Sequence, residues 1–281
     1  MNNNYEITFL LFTYNEERRL NYMLRCLHGN GEIVVIDNHS TDRTREIAQQ
    51  FTDKIFMFRN PGYVENEETM SFALDKVKTK WVYIAFVDEL IPRKLMSEIR
   101  KISKSDKYKV VEIYRKNFMY GQEVFNYDFK PTMRMFIPGA VDFKDNVVHH
   151  GGRYLVPKSV VYKFRKTDET STWHFSSYNT SKLELVHNRY ADIEAIQRYN
   201  LLGQRFSFFR AMWRLVFFFA GTYFGLGGFR GGLPGFFISI QIAYFKFSIE
   251  ARLWNIEHEI TLENIEKKYD ELKEKLIINH R

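Results

Sequence analysis

The sequence predicts an α/β protein with a mixed, mainly parallel sheet, followed by a helical, membrane-associating region near the C-terminus. Three observations predict it. Four apolar, β-rich segments, Ile7–Thr13, Ile33–Asp37, Ile55–Phe58 and Trp81–Phe86, alternate with stretches of helical character. Polar residues follow three of them at once. The last third then holds two long runs without a single charged side chain.

The four segments are near-continuous apolar text, which is how strands covered on both faces read, and helical crossovers between them imply parallel pairing. Such sheets bind ligands outside the carboxyl ends of their strands. The residues to inspect are therefore Tyr14-Asn15-Glu16-Glu17 after the first strand, Asp37-Asn38-His39-Ser40-Thr41-Asp42 after the second, and Val87-Asp88-Glu89 after the fourth. Asn15, Ser40 and Thr41 also suit helix capping, and a helix is expected to run through Phe51. From about 109 to 162 the text turns to short β-like runs with Gly and Pro breaks, including Val110–Tyr114 and Val160–Phe164. These read as a mixed or antiparallel continuation of the sheet. A polar loop and then a helix are expected between Trp173 and Leu202.

Leu215–Phe229 and Gly231–Phe245 contain no Asp, Glu, Lys or Arg and are 15 residues each. A bilayer-spanning helix needs about 20 apolar residues, and the Gly-rich middle with Pro234 should break a helix, so an interfacial or re-entrant pair is expected rather than two spans. Arg205, Arg210, Arg214, Arg230, Lys246 and Arg252 flank the runs as anchors for anionic headgroups do. The competing reading buries the pair against the rest of the chain or a second protomer. Glu257–Arg281 is charged, with Leu262, Ile265, Tyr269, Leu272 and Leu276 at three- and four-residue spacing, an amphipathic helix able to dock or to pair in a homo-oligomer. The expected division is a catalytic domain at 1–204, interfacial helices at 205–256 and the amphipathic helix at 257–281.

Composition bounds the partners. Hydrophobic residues at 45% of 281 exclude a disordered chain. A net charge of +7 favours an anionic partner, yet the basic residues are dispersed and form no nucleic-acid recognition motif. Cys26 is the only cysteine, which excludes an intramolecular disulfide and a cysteine-cluster zinc site and fits a reducing compartment. The polar start, Met1–Tyr5, lacks the features of a signal peptide. The expected location is cytoplasmic, peripheral at the inner face of the cell membrane.

These residue types serve one chemistry. Strand-end carboxylates and amides such as Glu16, Asp37 and Asn38 can pair with a base and ribose. Asp88 and Glu89 can hold Mg²⁺ or Mn²⁺ against a diphosphate, and Asp, Glu or His can take a proton from a hydroxyl. Arg134 can pair with the diphosphate.

At this point the sequence resembles the inverting family 2 glycosyltransferases. The resemblance rests on Thr13-Tyr14-Asn15-Glu16-Glu17, on Val34 to Thr44 and on Asp88-Glu89, and it runs from residue 5 to about 254. The lipopolysaccharide core-type subgroup is the most similar, through Arg115-Lys116-Asn117-Phe118, Arg134-Met135-Phe136, Val147-Val148-His149 and Gly228 to Phe236. The resemblance implies a GT-A, Rossmann-like nucleotide-diphospho-sugar transferase fold, a nucleotide-sugar donor, usually of UDP, a divalent metal (Mn²⁺ or Mg²⁺) and inversion by one in-line displacement. It places Glu16 and Asp37, with Thr13, Tyr14, Asn15 and Asn38 around them, on the nucleotide and Asp88 on the metal. Two departures stand out. Phe86 occupies the place of the first acid in the family's Asp-x-Asp, and His149-His150 replaces His-Glu. Asp145, His149, His150 and His174 are the candidates for the missing roles: Asp145 or His149 as general base, and His149 or His174 as metal ligands beside Asp88 and Glu89.

The expected activity moves a sugar to a hydroxyl of a lipid-linked or cell-envelope glycan. A catalytically degenerate scaffold is the alternative. A nucleotidyltransferase would carry a Gly-rich basic loop after the first strand, where this chain has Tyr14-Asn15-Glu16-Glu17.

Overall fold

The apolar segments do form strands, in a computed structural model that describes residues 5–60, 65–124, 130–144, 151–176 and 178–279. The chain divides into two units at Asn179/Thr180. In chain order the first unit holds β1 (Ile7–Thr13), α1 (Leu20–Leu27), β2 (Glu32–Asp37), α2 (Thr44–Gln49), β3 (Ile55–Met57), α3 (Glu67–Asp75) and β4 (Trp81–Ala85). It continues with β5 (Glu89–Leu90), α4 (Arg93–Ser103), β6 (Val110–Ile113), β7 (Arg115–Met119), β8 (Gln122–Glu123) and β9 (Thr132–Phe136). Last come β10 (Val141–Asp142), β11 (Arg153–Tyr154), β12 (Val161–Lys163) and β13 (Thr172–Phe175).

Seven strands make one sheet in the order β12-β6-β9-β4-β1-β2-β3. All neighbours are parallel except β9, which runs antiparallel to both β4 and β6. This is the expected mixed, mainly parallel sheet. Its two faces follow from the period-2 alternation of side chains. Ile7, Phe9 and Leu11 of β1 pack with Leu20, Met23, Leu24 and Leu27 of α1 and with Leu95 and Ile99 of α4. Leu10 of the same strand faces the other way, with Val34, Ile36, Val82 and Ile84 against Met70 and Ala73 of α3. Burying each such side chain contributes roughly 1.5–3 kcal/mol, which is why every residue of β4 is buried. Gly31 is required here, because a Cβ would stand 2.6 Å from the Ile7 carbonyl oxygen and 2.7 Å from the Phe9 ring.

A second sheet, β5-β13-β7-β8, is the part that positions the site. Trp173–Phe175, expected as loop, belongs to an inner strand of it, β13, parallel to β7 and antiparallel to β5. Its residues alternate Trp173, His174, Phe175, a β pattern too short to stand out in sequence. The register sets His174 between Glu89 on one neighbour and Asn117 on the other.

The second unit consists of α5 (Thr180–Asn200), α6 (Phe208–Ala220), α7 (Gly232–Glu257) and α8 (Leu262–Asn279). A π-helical turn, Gly221–Gly225, and a 3-10 turn, Gly228–Gly231, join α6 to α7. Two features of this unit stand beside the expectations. The sequence division at 204 leaves α5 with the catalytic part, whereas Ala191 and Ala195 of α5 pack with Phe245, Ile249 and Leu253 of α7. And α7 is one continuous helix of 26 residues; with the preceding turn, Gly228–Glu257 is long and apolar enough to cross a membrane by length and composition. Pro234 does not break it, because it lies in the first turn, where no intrahelical N–H donor is lost. Gly228 and Gly235 let the turn close onto the helix: a Cβ on Gly235 would overlap the Gly228 carbonyl.

Candidate active site

The ends of β1 and β2 are tied together by Asp37. Its buried carboxylate accepts from Thr13 Oγ1 at 2.9 Å, from Ser40 N at 2.8 Å and from Ser40 Oγ at 2.6 Å. Asn15 and His39 both adopt left-handed backbone, φ +52° and +57°, a conformation Asn and His tolerate better than most residues. Asn15 N donates to Ser40 Oγ, and Asn15 Oδ1 accepts from Thr41 N rather than capping α1. Glu16 N donates to Thr44 Oγ1, and Glu17 N donates to Asp42. Burial raises the Asp42 carboxyl, but bonds from the Thr44 hydroxyl and from backbone N–H groups outweigh it and hold it below its ordinary value. Asn38 bonds both ways to the Asn60 backbone.

The set expected to contact the nucleotide is thereby split. Thr13 and Asp37 are buried and hydrogen-bonded, and they hold the two loops together. Tyr14 (40% exposed), Asn15 and Glu16 remain at the surface of the crevice edge.

Asp88 follows β4 at the same edge. Its backbone carbonyl accepts from Phe175 N at 2.7 Å, which clamps β13 beside it. His174 Nε2 then stands 3.5 Å from Asp88 Oδ2, and Arg19 Nη1 stands 3.5 Å from the same oxygen. Burial pushes the Asp88 carboxyl up, but the His174 charge and hydrogen bond and the Arg19 charge outweigh it, leaving it well below the usual carboxylate range. Arg19 is itself held in place by Glu16 through two bonds of 2.8 and 2.6 Å.

The far side of His174 matters as much. Its Nδ1 lies 2.7 Å from Oδ1 of Asn117, which is 1% exposed. An amide oxygen only accepts, so Nδ1 is the donor in that bond, and the ring is held with Nε2 turned toward Asp88. The imidazole nitrogen and the carboxylate oxygen, 3.5 Å apart, are both atom types that ligate divalent cations. A divalent metal fits this pair: Mg²⁺-type ions are commonly held by one or two protein side chains plus substrate phosphates and water. Among the described residues no group of three or more metal-binding side chains comes together.

Glu89 and Arg134 are corrected. Both are buried, at 2% and 4% exposed, and they form an ion pair with each other. Charges in that position are retained only when paired, so neither is offered to a metal or a diphosphate. Phe86, the departure from Asp-x-Asp, lies under the same guanidinium at 4.5 Å as a cation–π partner. Glu65 adds a third group: burial raises its carboxyl while Arg134 pulls the other way. Asp145, His149 and His150 lie outside the described residues. Arg19 and Asn117 are the site residues that the sequence reading did not select. Glu16 and Arg19 at i, i+3 were a usable signal, whereas Asn117 pairs with His174 across 57 positions and leaves none.

The fold defines a GT-A transferase domain, an α/β sheet with polar clusters at its strand ends. The chain belongs to glycosyl transferase family 2, whose family profile matches residues 8–165. It is therefore a glycosyltransferase. Similar proteins include the lipopolysaccharide core biosynthesis glycosyltransferase LpsC of Rhizobium meliloti, 26% identical over 88% of this chain and 92% of that one. An uncharacterized glycosyltransferase of Rickettsia typhi is 27% identical over 88% and 86%. Among solved structures, the mannosyltransferase PcManGT of Pyrobaculum calidifontis with GDP-Man and Mn²⁺ superposes with a TM-score of 0.49 at 11% identity, over 90% of this chain and 88% of that one.

Proposed function

We propose that the chain transfers a sugar from a nucleoside diphosphate donor, most simply UDP-linked, to a hydroxyl of a lipid-linked or cell-envelope glycan, with inversion. The observation that carries this reading is the Asp88–His174 pair at the strand ends, with Arg19 beside it. When bound, a divalent metal supplies charge stabilisation for the departing diphosphate. Asp88 and His174 would hold it, and Arg19 is placed to neutralise further charge. The acceptor oxygen attacks the anomeric carbon as the bond to the diphosphate oxygen breaks, and the acceptor proton passes to a base, for which Asp145 and His149 are the candidates. The exposed aromatic residues of α6 and α7 support action at the inner face of the cell membrane, where a lipid-linked acceptor is confined.

Phe86 favours a second reading, a scaffold that binds the donor without turnover. The test is to incubate the full chain with UDP-, GDP- and CDP-sugars, Mn²⁺ and an envelope glycolipid extract, and to follow both nucleotide release and the anomeric proton of the product by NMR. The proposal expects release with one donor class and an inverted anomer. Saturable donor binding with no release above the background without protein, for any donor, would establish the scaffold instead.

A further inference from the structure

The helical unit buries the carboxylates Glu194 and Glu250 and exposes large aromatic side chains on α6 and α7. We infer that the α6–α7 hairpin lies in the plane of an anionic lipid surface, with its exposed apolar faces at the boundary of headgroups and acyl chains, and that it neither crosses the bilayer nor enters it tip first. This rests on the membrane-surface reading above and adds the lipid class and the orientation.

On α6, Phe209, Trp213 and Val216 are 84%, 64% and 61% exposed; on α7, Leu233, Phe237 and Tyr244 are 68%, 48% and 51% exposed. Within each helix these residues recur every three, four or seven positions, so each set forms one face. Exposed apolar surface on this scale marks a binding face rather than ordinary soluble surface. The unit is not short of a core or of polar contacts inward. Glu250, fully buried, accepts two bonds of 2.7 Å from Arg210 and has Arg214 at 2.8 Å, and Glu194 pairs with Arg198 and with Lys246 at 3.8 Å. Four cations thus meet two carboxylates. Arg205, just before α6, and Arg230, in the turn before α7, are exposed and add positive charge beside the aromatic faces, which suits phosphate-bearing headgroups.

Orientation follows from where the charges end. Gly232–Phe245, the charge-free part of α7, spans about 21 Å at roughly 1.5 Å per residue, short of the roughly 30 Å hydrocarbon core. Lys246, Glu250 and Arg252 then follow in the same helix and are paired within the unit. A tip-first entry would carry Arg230 deepest, exposed, with its guanidinium over the Phe229 ring at 5.5 Å. A guanidinium at such depth is strongly disfavoured. With the exposed Arg205 at one end of the hairpin and the exposed Arg230 at the other, both ends belong at headgroup level. An in-plane hairpin satisfies both and buries the aromatic faces between them to a depth of roughly 5–10 Å.

The test uses the full chain in a Cys26→Ser background, with a single cysteine at position 213, 230 or 237 carrying an environment-sensitive fluorophore. Vesicles of phosphatidylcholine alone, or of equal parts phosphatidylcholine and phosphatidylglycerol, carry bromines at shallow or deep acyl positions. The inference expects binding to the anionic vesicles, shallow quenching at 213 and 237, and a label at 230 that stays open to an aqueous quencher. Arg230→Gln should weaken binding to anionic vesicles about five-fold and leave the weaker binding to neutral ones nearly unchanged. Binding in which position 230 is quenched from the deep bromines and shielded from water would overturn the orientation while leaving the membrane reading intact. No binding to either vesicle, with a dimer in sedimentation velocity, would overturn the membrane reading itself and assign the face to a second copy.

Discussion

The two units solve the same problem in opposite ways. In the α/β unit the apolar residues are inside and the polar clusters collect at the strand ends, where Asp88, His174 and Arg19 face a crevice edge. In the helical unit the carboxylates Glu194 and Glu250 are inside, and Phe209, Trp213 and Leu233 are outside. The first arrangement gathers polar groups at an edge. The second fits a surrounding less polar than water. The difference teaches that burial by itself does not identify a site: Glu89 and Glu250 are both buried carboxylates, and both are structural.

The largest expected effect falls on that buried charge. Glu250→Gln leaves Arg210 and Arg214 around a neutral amide and should cost about 3–5 kcal/mol, read as a lowered urea midpoint of the helical signal. A loss below about 1 kcal/mol would mean that the charges reach water and that the inside-out comparison fails. On the other side, Leu24→Ala removes a fully buried side chain between α1 and the sheet and should cost about 2–5 kcal/mol by the same measurement. An effect confined to surface scale would show that the sheet face is not close-packed there.

A smaller effect sharpens the account of the strand-end loops. Asp42 accepts from Glu17 N, Thr44 N and Thr44 Oγ1, and its carboxyl is held below the ordinary value. A depressed folded-state pKa contributes stability above the unfolded value, near 3.9, and that contribution is lost as pH falls through the lower folded value. Asp42→Asn should therefore cost about 1 kcal/mol at neutral pH, and the gap to the native protein should close below about pH 4. A gap that persists unchanged in acid would show that the amide geometry rather than the charge is responsible.

Much of the frame was legible because its signals are local. β1 and β4 read as apolar runs, and the polar clusters after them marked the active edge. What stayed hidden depends on partners far apart in sequence. β13 is four residues long, so its alternation could not announce it, and His174 reaches Asp88 only through pairing with β5 and β7. Glu89 and Arg134 looked available because residue type says nothing of burial, and a Phe86 that reads as a damaged metal motif is the ring beneath that ion pair. Pro234 read as a helix breaker because its effect depends on position within the helix, and it lies in the first turn.

The central claim is that Asp88 and His174 form the metal-binding pair of the donor site. Its most direct test is Mn²⁺ titration followed by electron paramagnetic resonance, with and without UDP, on the native chain and on Asp88→Asn and His174→Ala. The account predicts that UDP tightens Mn²⁺ binding in the native chain and that each substitution weakens the ternary complex by about ten-fold or more, with the fold intact by circular dichroism. Equal Mn²⁺ retention in all three proteins would contradict it and move the donor site away from this edge.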